Sequence, residues 1–335
     1  MKKRILGKTD MNVSVVGFGG IPIQGLTFEE AEKVLLHAVD RGINLFDSAR
    51  GYTDSEEKIG RALGRHRDKI YLASKAMSRG GESMKGELDT SLKKLGTEMI
   101  DLYQLHAVGS EAQLERVIGP GGAYPTLVKA REAGKIRFIG ITGHSRDILL
   151  KAVATGLFDT VQFPYNPIET EWEDSLIPAA VKAGMGTIGM KPVAGGAIHN
   201  VPLSIRFTLT RGMTVSIPGM DSIKQVDENV TAGENLDELT EKELSLLAEE
   251  KSFWGEQFCR RCGYCMPCPS GLNIPFLLLL EVYFSRYGLE DWARSRLATL
   301  DTSYDACTSC GECLEKCPYH LPIPELLEKA GKIFG

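Results

Sequence analysis

The sequence predicts an α/β protein: a (β/α)8 TIM barrel followed by a small, mostly α-helical, cysteine-rich domain. Three observations carry this. Strand-like apolar runs alternate with helix-like segments eight times between residues 13 and 233, the order that builds a parallel sheet covered by helices. Three of those runs stop abruptly on a polar residue: Leu45-Phe46 on Asp47, Ile70 to Ser74 on Lys75, and Ile100 to Leu105 on His106. All eight cysteines lie between Cys259 and Cys317, and none precedes them.

Taken in order, residues 3–12 read as a hairpin around Gly7-Lys8-Thr9-Asp10. Strands are expected at 13–20, 43–48, 69–75, 100–106, 136–142, 160–165, 186–191 and 214–217. Helices are expected near 28–41, 55–65, 82–96, 123–134, 146–155, 173–183, 201–211 and 222–233. Eight of each is the count for a closed barrel. An open doubly wound sheet is the rival, but no Gly-x-Gly-x-x-Gly follows the first strand. Gly17, Gly19 and Gly20 at that strand's end are expected to keep the mouth open. The domains expected are a barrel over 1–235, a linker helix within 236–253 and a cysteine-rich module over 254–335, the last with helices near 275–285 and 289–299.

Composition narrows the function. The 335 residues carry a net charge of −5 and no basic tract, which gives no reason to expect nucleic acid as a partner. The basic start Met1-Lys2-Lys3-Arg4 leads into no apolar signal region, and the apolar run Ile274 to Phe284 contains Glu281 and is too short to span a bilayer. A cytoplasmic protein with no membrane partner is expected.

The cysteines fall into two words, Cys259-x2-Cys262-x2-Cys265-x2-Cys268-Pro269 and Cys307-x2-Cys310-x2-Cys313-x3-Cys317-Pro318. Three thiolates at x2 spacing and a fourth before proline is the bacterial ferredoxin pattern; the first word is one residue short of it. Four-thiolate zinc is the plainer alternative, but zinc sites usually separate two Cys pairs. Disulfides do not suit a reducing compartment. The reading is two [4Fe–4S] clusters in a ferredoxin-like domain. By the crossed ligation of two-cluster ferredoxins, Cys259, Cys262, Cys265 and Cys317 hold one, and Cys307, Cys310, Cys313 and Cys268 the other.

Asp47, Tyr52, Lys75 and His106, at the ends of the second, third and fourth strands, resemble the catalytic tetrad of the aldo-keto reductases. The phrases Asn44-Leu-Phe-Asp-Ser-Ala-Arg-Gly-Tyr52 and Gly134-Lys-Ile-Arg-Phe-Ile-Gly-Ile-Thr142 agree, and the resemblance spans roughly residues 3–235. It implies an oxidoreductase that reduces a small carbonyl substrate with NADPH or NADH. Tyr52 would donate the proton, with Lys75 lowering its pKa, Asp47 holding Lys75, and His106 orienting the carbonyl. Gln162 matches the partner expected for the carboxamide, while Thr142-Gly143 replaces the usual Ser-Asn. Met190 stands where an aromatic would stack on the nicotinamide, as core or as a soft ring contact. Lys191 meets a diphosphate or points to solvent. Gly219, Glu228 and Asn229 resemble the adenosine segment, but the usual phosphate clamp falls on Gly219 and Gln225, leaving only Lys224 as a substitute.

Hydride moves two electrons and a cluster one, so two further readings stand. In one, a flavin or another redox cofactor in the mouth couples to the clusters and to a redox partner protein. In the other, the chain is a non-catalytic electron carrier. The loop from Gly109 to Tyr124 is expected to shape the pocket, and the helix near 240–251 to carry the module toward the mouth.

Overall fold

A computed structural model describes residues 1–335. A hairpin, β1 (Lys3–Ile5) paired antiparallel with β2 (Asn12–Ser14), precedes eight parallel strands. These are β3 (Phe18–Gly19), β4 (Leu45–Asp47), β5 (Tyr71–Ala76), β6 (Ile100–Leu105), β7 (Ile136–Thr142), β8 (Thr160–Pro164), β9 (Gly186–Met190) and β10 (Val215–Ile217). They neighbour one another in chain order, and parallel bridges Val16↔Ser216 and Gly19↔Gly219 join the last to the first, closing the barrel.

The covering helices are α1 (Phe28–Asp40), α2 (Ser55–Leu63), α3 (Gly81–Leu95), α4 (Glu111–Ile118), α5 (Ala123–Glu132), α6 (Arg146–Ala154), α7 (Leu176–Lys182), α8 (Val201–Thr210) and α9 (Ile223–Glu234). Their starts follow local chemistry. Thr27 and Glu30 form a reciprocal capping box on α1, and Ser110, Asn200 and Ser222 cap α4, α8 and α9. One continuous cluster of 53 buried apolar residues fills the space between sheet and helices.

Two expectations are corrected, and a third holds in part. The run 13–20 is not one strand: residues 12–14 pair with the hairpin, and only Phe18–Gly19 enters the barrel. Gly19 and Gly20 do line a cavity at the mouth, while Gly17 does not, and all three also serve packing. A Cβ on them would lie 2.9 Å from Ile217 Cγ2, 2.8 Å from Pro218 O and 2.7 Å from Ser55 Oγ, so they allow the closing strands and α2 to approach. The segment 109–124 is not a bare loop but contains α4, and none of its residues lines either of the two cavities described below.

The hairpin plugs the barrel floor. Leu6, Met11 and Val13 are buried with Leu45, Ala73, Leu102, Ile188, Val215 and Ile217 inside the barrel. Gly7, at φ +58°, makes the tight turn possible: a Cβ there would lie 2.1 Å from Gly186 N.

After α9 a second capping box, Thr240 with Glu243, starts α10 (Glu241–Trp254). The rest of the chain folds into α11 (Ile274–Ser285), α12 (Glu290–Leu297), α13 (Glu312–Lys316) and α14 (Ile323–Phe334) around its own core of 16 buried residues. Trp254 and Phe258 pack with Ile168, Ala194, Ala197 and Ile198 at the junction. Tyr264 Oη donates to Asp147 (2.9 Å) and Tyr319 Oη to Glu171 (2.8 Å), tying the module to loops at the carboxyl ends of β7 and β8. No helix is long and apolar enough to cross a membrane.

Candidate active site and iron–sulfur ligands

Side-chain alternation along parallel strands sets the centre of the site. Asp47, the last residue of β4, lies opposite Ala73 of β5; Lys75, two residues on, therefore shares its face. Lys75 Nζ donates to Asp47 Oδ2 (2.5 Å) and to the Ser48 carbonyl (2.9 Å), and both side chains are buried. Gln104, opposite Lys75 on β6, bridges Asp47 Oδ1 (3.3 Å) and Gln162 Oε1 (2.8 Å). Burial raises the Asp47 pKa while the Lys75 ammonium pulls against it.

Tyr52 stands on the turn after β4. Arg50 fixes that turn through Glu56 (2.6 Å) and Glu87 (2.9 Å), and its N–H bonds to the Lys75 carbonyl (2.9 Å). The tyrosine ring meets His106 edge-on at 6.1 Å and has the Lys75 ammonium 5.3 Å from its centroid. The ammonium thus faces the ring, and burial governs the phenol. Burial pushes its pKa well above 10, with Tyr283, Asp47 and Tyr287 adding and Arg261 opposing. His106 is held well below its ordinary value by burial and then by Lys75, Arg79 and Lys191. It is a neutral imidazole, its buried Nδ1 lacking a partner. The four residues form one constellation at the strand ends.

A cavity of about 240 Å³ opens beside it. Of the expected cofactor contacts, Gln162, Met190, Lys191, Gly219, Glu228 and Asn229 line it, together with Asp47 and Tyr52. Asn229 is buried with an unpartnered Oδ1, an orphan acceptor that suits a bound ligand. Two expected contacts are corrected. Thr142 Oγ1 accepts from Ala107 N (2.9 Å), so the hydroxyl holds the loop after β6 instead of facing the cavity. Lys224 is 84% exposed and paired with Glu228 (3.7 Å), outside the lining. Lys191 does not point simply to solvent. It lines the cavity, its backbone sits at φ +55°, and its carbonyl accepts from Asn166 Nδ2 (3.1 Å).

The residues that sequence reading missed come mostly from the module. Arg286 and Tyr287, at the end of α11, line the same cavity, and Tyr283 and Arg261 act on the Tyr52 phenol. Only Gln104 had a signal: a polar residue two before His106, inside an apolar run.

No disulfide joins the eight cysteines. Cys259, Cys262, Cys265 and Cys317 act on one another, the three of the first word being raised chiefly by burial. Cys313 feels Cys307, Cys310 and Cys268, and these four line a small cleft between the two cysteine loops. No three His, Cys, Asp or Glu side chains meet closely enough to ligate a single ion. Gly263 and Gly311, at φ +84° and +85°, bend the two loops. Eight thiols on two tight, glycine-turned loops, with Cys265 lining the same cleft as Cys268, Cys307, Cys310 and Cys313, fit two clusters.

Comparison with known proteins agrees. The family model described as "Aldo/keto reductase family" matches residues 15–202, and one described as "4Fe-4S dicluster domain" matches residues 258–321. The chain is 28% identical to "Probable aldo-keto reductase 1" of Glycine max over 276 residues, 74% of this chain and 75% of that protein. It is 35% identical to "Aldo-keto reductase yakc [NADP(+)]" of Schizosaccharomyces pombe over 182 residues, 48% of this chain and 52% of that one. L-galactose dehydrogenase of Arabidopsis thaliana is 27% identical over 70% of this chain and 89% of its own length. Among solved structures, the holo form of an aldo-keto reductase from Bacillus halodurans superposes with a TM-score of 0.66. That match is 24% identical and covers 75% of this chain and 96% of that one, a likeness of fold.

Proposed function

Because the chain belongs to the aldo/keto reductase family and carries a 4Fe–4S dicluster domain, we propose that it reduces a small carbonyl compound at Tyr52 with a nicotinamide cofactor. The observation that supports this most is the constellation of Tyr52, His106 and the buried Lys75–Asp47 pair beside a cavity that ends at the orphan Asn229 acceptor. The division of the chain at residues 235 and 253 belongs to the same reading.

Bound in the cavity, nicotinamide supplies the hydride. Gln162 and Met190 lie along the lining for the ring, and Gly219, Glu228 and Asn229 for the adenosine. With Lys224 turned to solvent and Asp221 and Glu228 at that end, the lining favours a 2′-hydroxyl over a 2′-phosphate, hence NADH. A substrate carbonyl oxygen is received between the Tyr52 hydroxyl and the neutral His106 imidazole. Tyr52 would give its O–H proton to the carbonyl oxygen, which stays bonded to its carbon as the alcohol hydroxyl, and solvent would return a proton to the phenolate. Burial keeps the Tyr52 phenol protonated but makes it a weaker acid, so proton transfer needs help. The Lys75 ammonium over its ring stabilises the charge that develops there, and Asp47 keeps that ammonium in place.

A second reading is exchange of electrons between the mouth and the nearer cluster, directly or through a flavin. It is favoured by one observation: a cavity of about 300 Å³ is lined by both Cys259 and Lys191. One anaerobic experiment tests both. NADH and a simple aldehyde are added to cluster-loaded protein and to Tyr52→Phe while product and cluster absorbance are followed. Loss of reduction by about two orders of magnitude or more in Tyr52→Phe supports the reductase reading, and undiminished turnover defeats it. Cluster bleaching by NADH alone supports the second.

A further inference from the structure

Two cavities meet where the module lies on the barrel mouth. The one beside Tyr52 and the one of about 300 Å³ reaching Cys259 share Lys191, Gly195, Arg286 and Tyr287. Basic side chains gather at that junction, with the buried Glu169 acting on Lys191 and Arg261. Lys191, Arg261 and Arg286 are all partly buried, and none lies within 4.0 Å of a carboxylate oxygen. Arg286 packs over the Trp254 ring at 5.2 Å, and its Nη1 is buried without a hydrogen-bond partner. A guanidinium nitrogen held from water with nothing to donate to is costly unless a ligand fills the place. Glu281 is the only acidic residue of the larger cavity, and Glu169 acts on Lys191 only from a distance. Lys329 stands at the far rim. Arg261 lies between two cysteines and answers the thiolates, which leaves Arg286 and Lys191 facing the shared space.

The rest of the lining is largely apolar: Leu278, Leu279 and Val282 of α11 and Leu326, Ala330 and Ile333 of α14 line the larger cavity. A site lined by the unpartnered Arg286 guanidinium, the buried Lys191 amine and aliphatic side chains fits an organic acid rather than a neutral sugar or a free inorganic ion.

We propose that this junction is a substrate-binding site for a carbonyl compound that also carries a carboxylate. Arg286 and Lys191 hold the acid, the α11–α14 wall covers the apolar body, and the carbonyl reaches Tyr52. The proposal rests on the reductase reading for the last contact and names the substrate class that reading leaves open. It gives the module a task at the mouth: supplying Arg286, the residue that selects charge.

The test uses full-length, cluster-loaded protein under anaerobic conditions. Tryptophan emission, with Trp254 beside Arg286 as reporter, is titrated with 4-carboxybenzaldehyde, with its uncharged methyl ester, and separately with NADH. The acid is expected to bind at least about ten-fold more tightly than the ester. Arg286→Met, which keeps bulk without charge, is expected to abolish that preference, and Arg286→Lys to restore part of it. Unchanged cluster absorbance in both variants shows that they are folded and loaded. Equal binding of acid and ester by the unaltered protein overturns the proposal. So does a preference that survives Arg286→Met while NADH binding falls about ten-fold, since the cation then serves the dinucleotide diphosphate. Binding is read without turnover, so the two readings fail separately. Preference for the acid with neither aldehyde reduced keeps the site and defeats the reductase reading. Reduction of both through Tyr52 with no preference does the reverse.

Discussion

The barrel buries 53 apolar residues in one continuous cluster, whereas the C-terminal module gathers 16, and two of those are the ligand candidates Cys265 and Cys317. Helices of eight to twelve residues occur in both regions, so helix length is not what separates them. The barrel has a core large enough to offset its chain entropy by burial. The module's core is that of a very small domain, which usually needs a metal or a cross-link. One chain thus joins a scaffold with a large apolar core to an appendage with a small one that includes two of its own thiols.

Stripping the iron breaks the comparison most severely. With metal binding and folding coupled, chelation under anaerobic conditions is expected to abolish amide protection across residues 259–335 and leave β4–β8 protected. Hydrogen exchange reads this directly, and a module that stays protected without iron stands on its apolar core alone. Next in size is Asp47→Asn, which strands the Lys75 ammonium inside the barrel. Removing one partner of a buried pair costs about 3–5 kcal/mol. The urea midpoint should fall accordingly, and equally in the iron-stripped protein if the barrel stands alone.

The smallest effect sharpens the picture of the mouth. The pKa of His106 is depressed in the folded chain, so between its ordinary value near 6.5 and the lower folded value only the unfolded state binds the proton. Its contribution to stability is present above about pH 6.5 and is lost as pH falls through the folded value. His106→Gln, which cannot take up that proton, should lose less stability between pH 7 and 5 than the unaltered barrel. An equal loss in both would place the acid sensitivity elsewhere.

Much of this was legible because strand parity and cysteine spacing are local. Asp47, Lys75 and His106 end apolar runs, and a parallel barrel places all such ends at one mouth. The thiol spacing carried the cluster ligands in the same way. The short first strand was not legible, because an unbroken apolar run from Val13 to Gly20 hides the point where it leaves the hairpin for the barrel. Thr142 and Lys224 were misjudged because each took a neighbour as partner, the Ala107 amide and Glu228, and local pairing outcompeted the cavity. Arg286 and Tyr287 carry no spacing signal. They reach the site only through docking of a module more than 200 residues beyond Tyr52 in the chain.

The hairpin that fills the barrel floor has a kinetic consequence. With Leu6, Met11 and Val13 packed into one end, the interior is a dead end, and traffic to and from Tyr52 uses the aperture bordered by Arg286 and Tyr287. A narrower aperture slows arrival and departure by the same factor and leaves the equilibrium constant untouched. In the site proposed above, bulk at Tyr287 is expected to set how long a ligand stays, and charge at Arg286 which ligand stays.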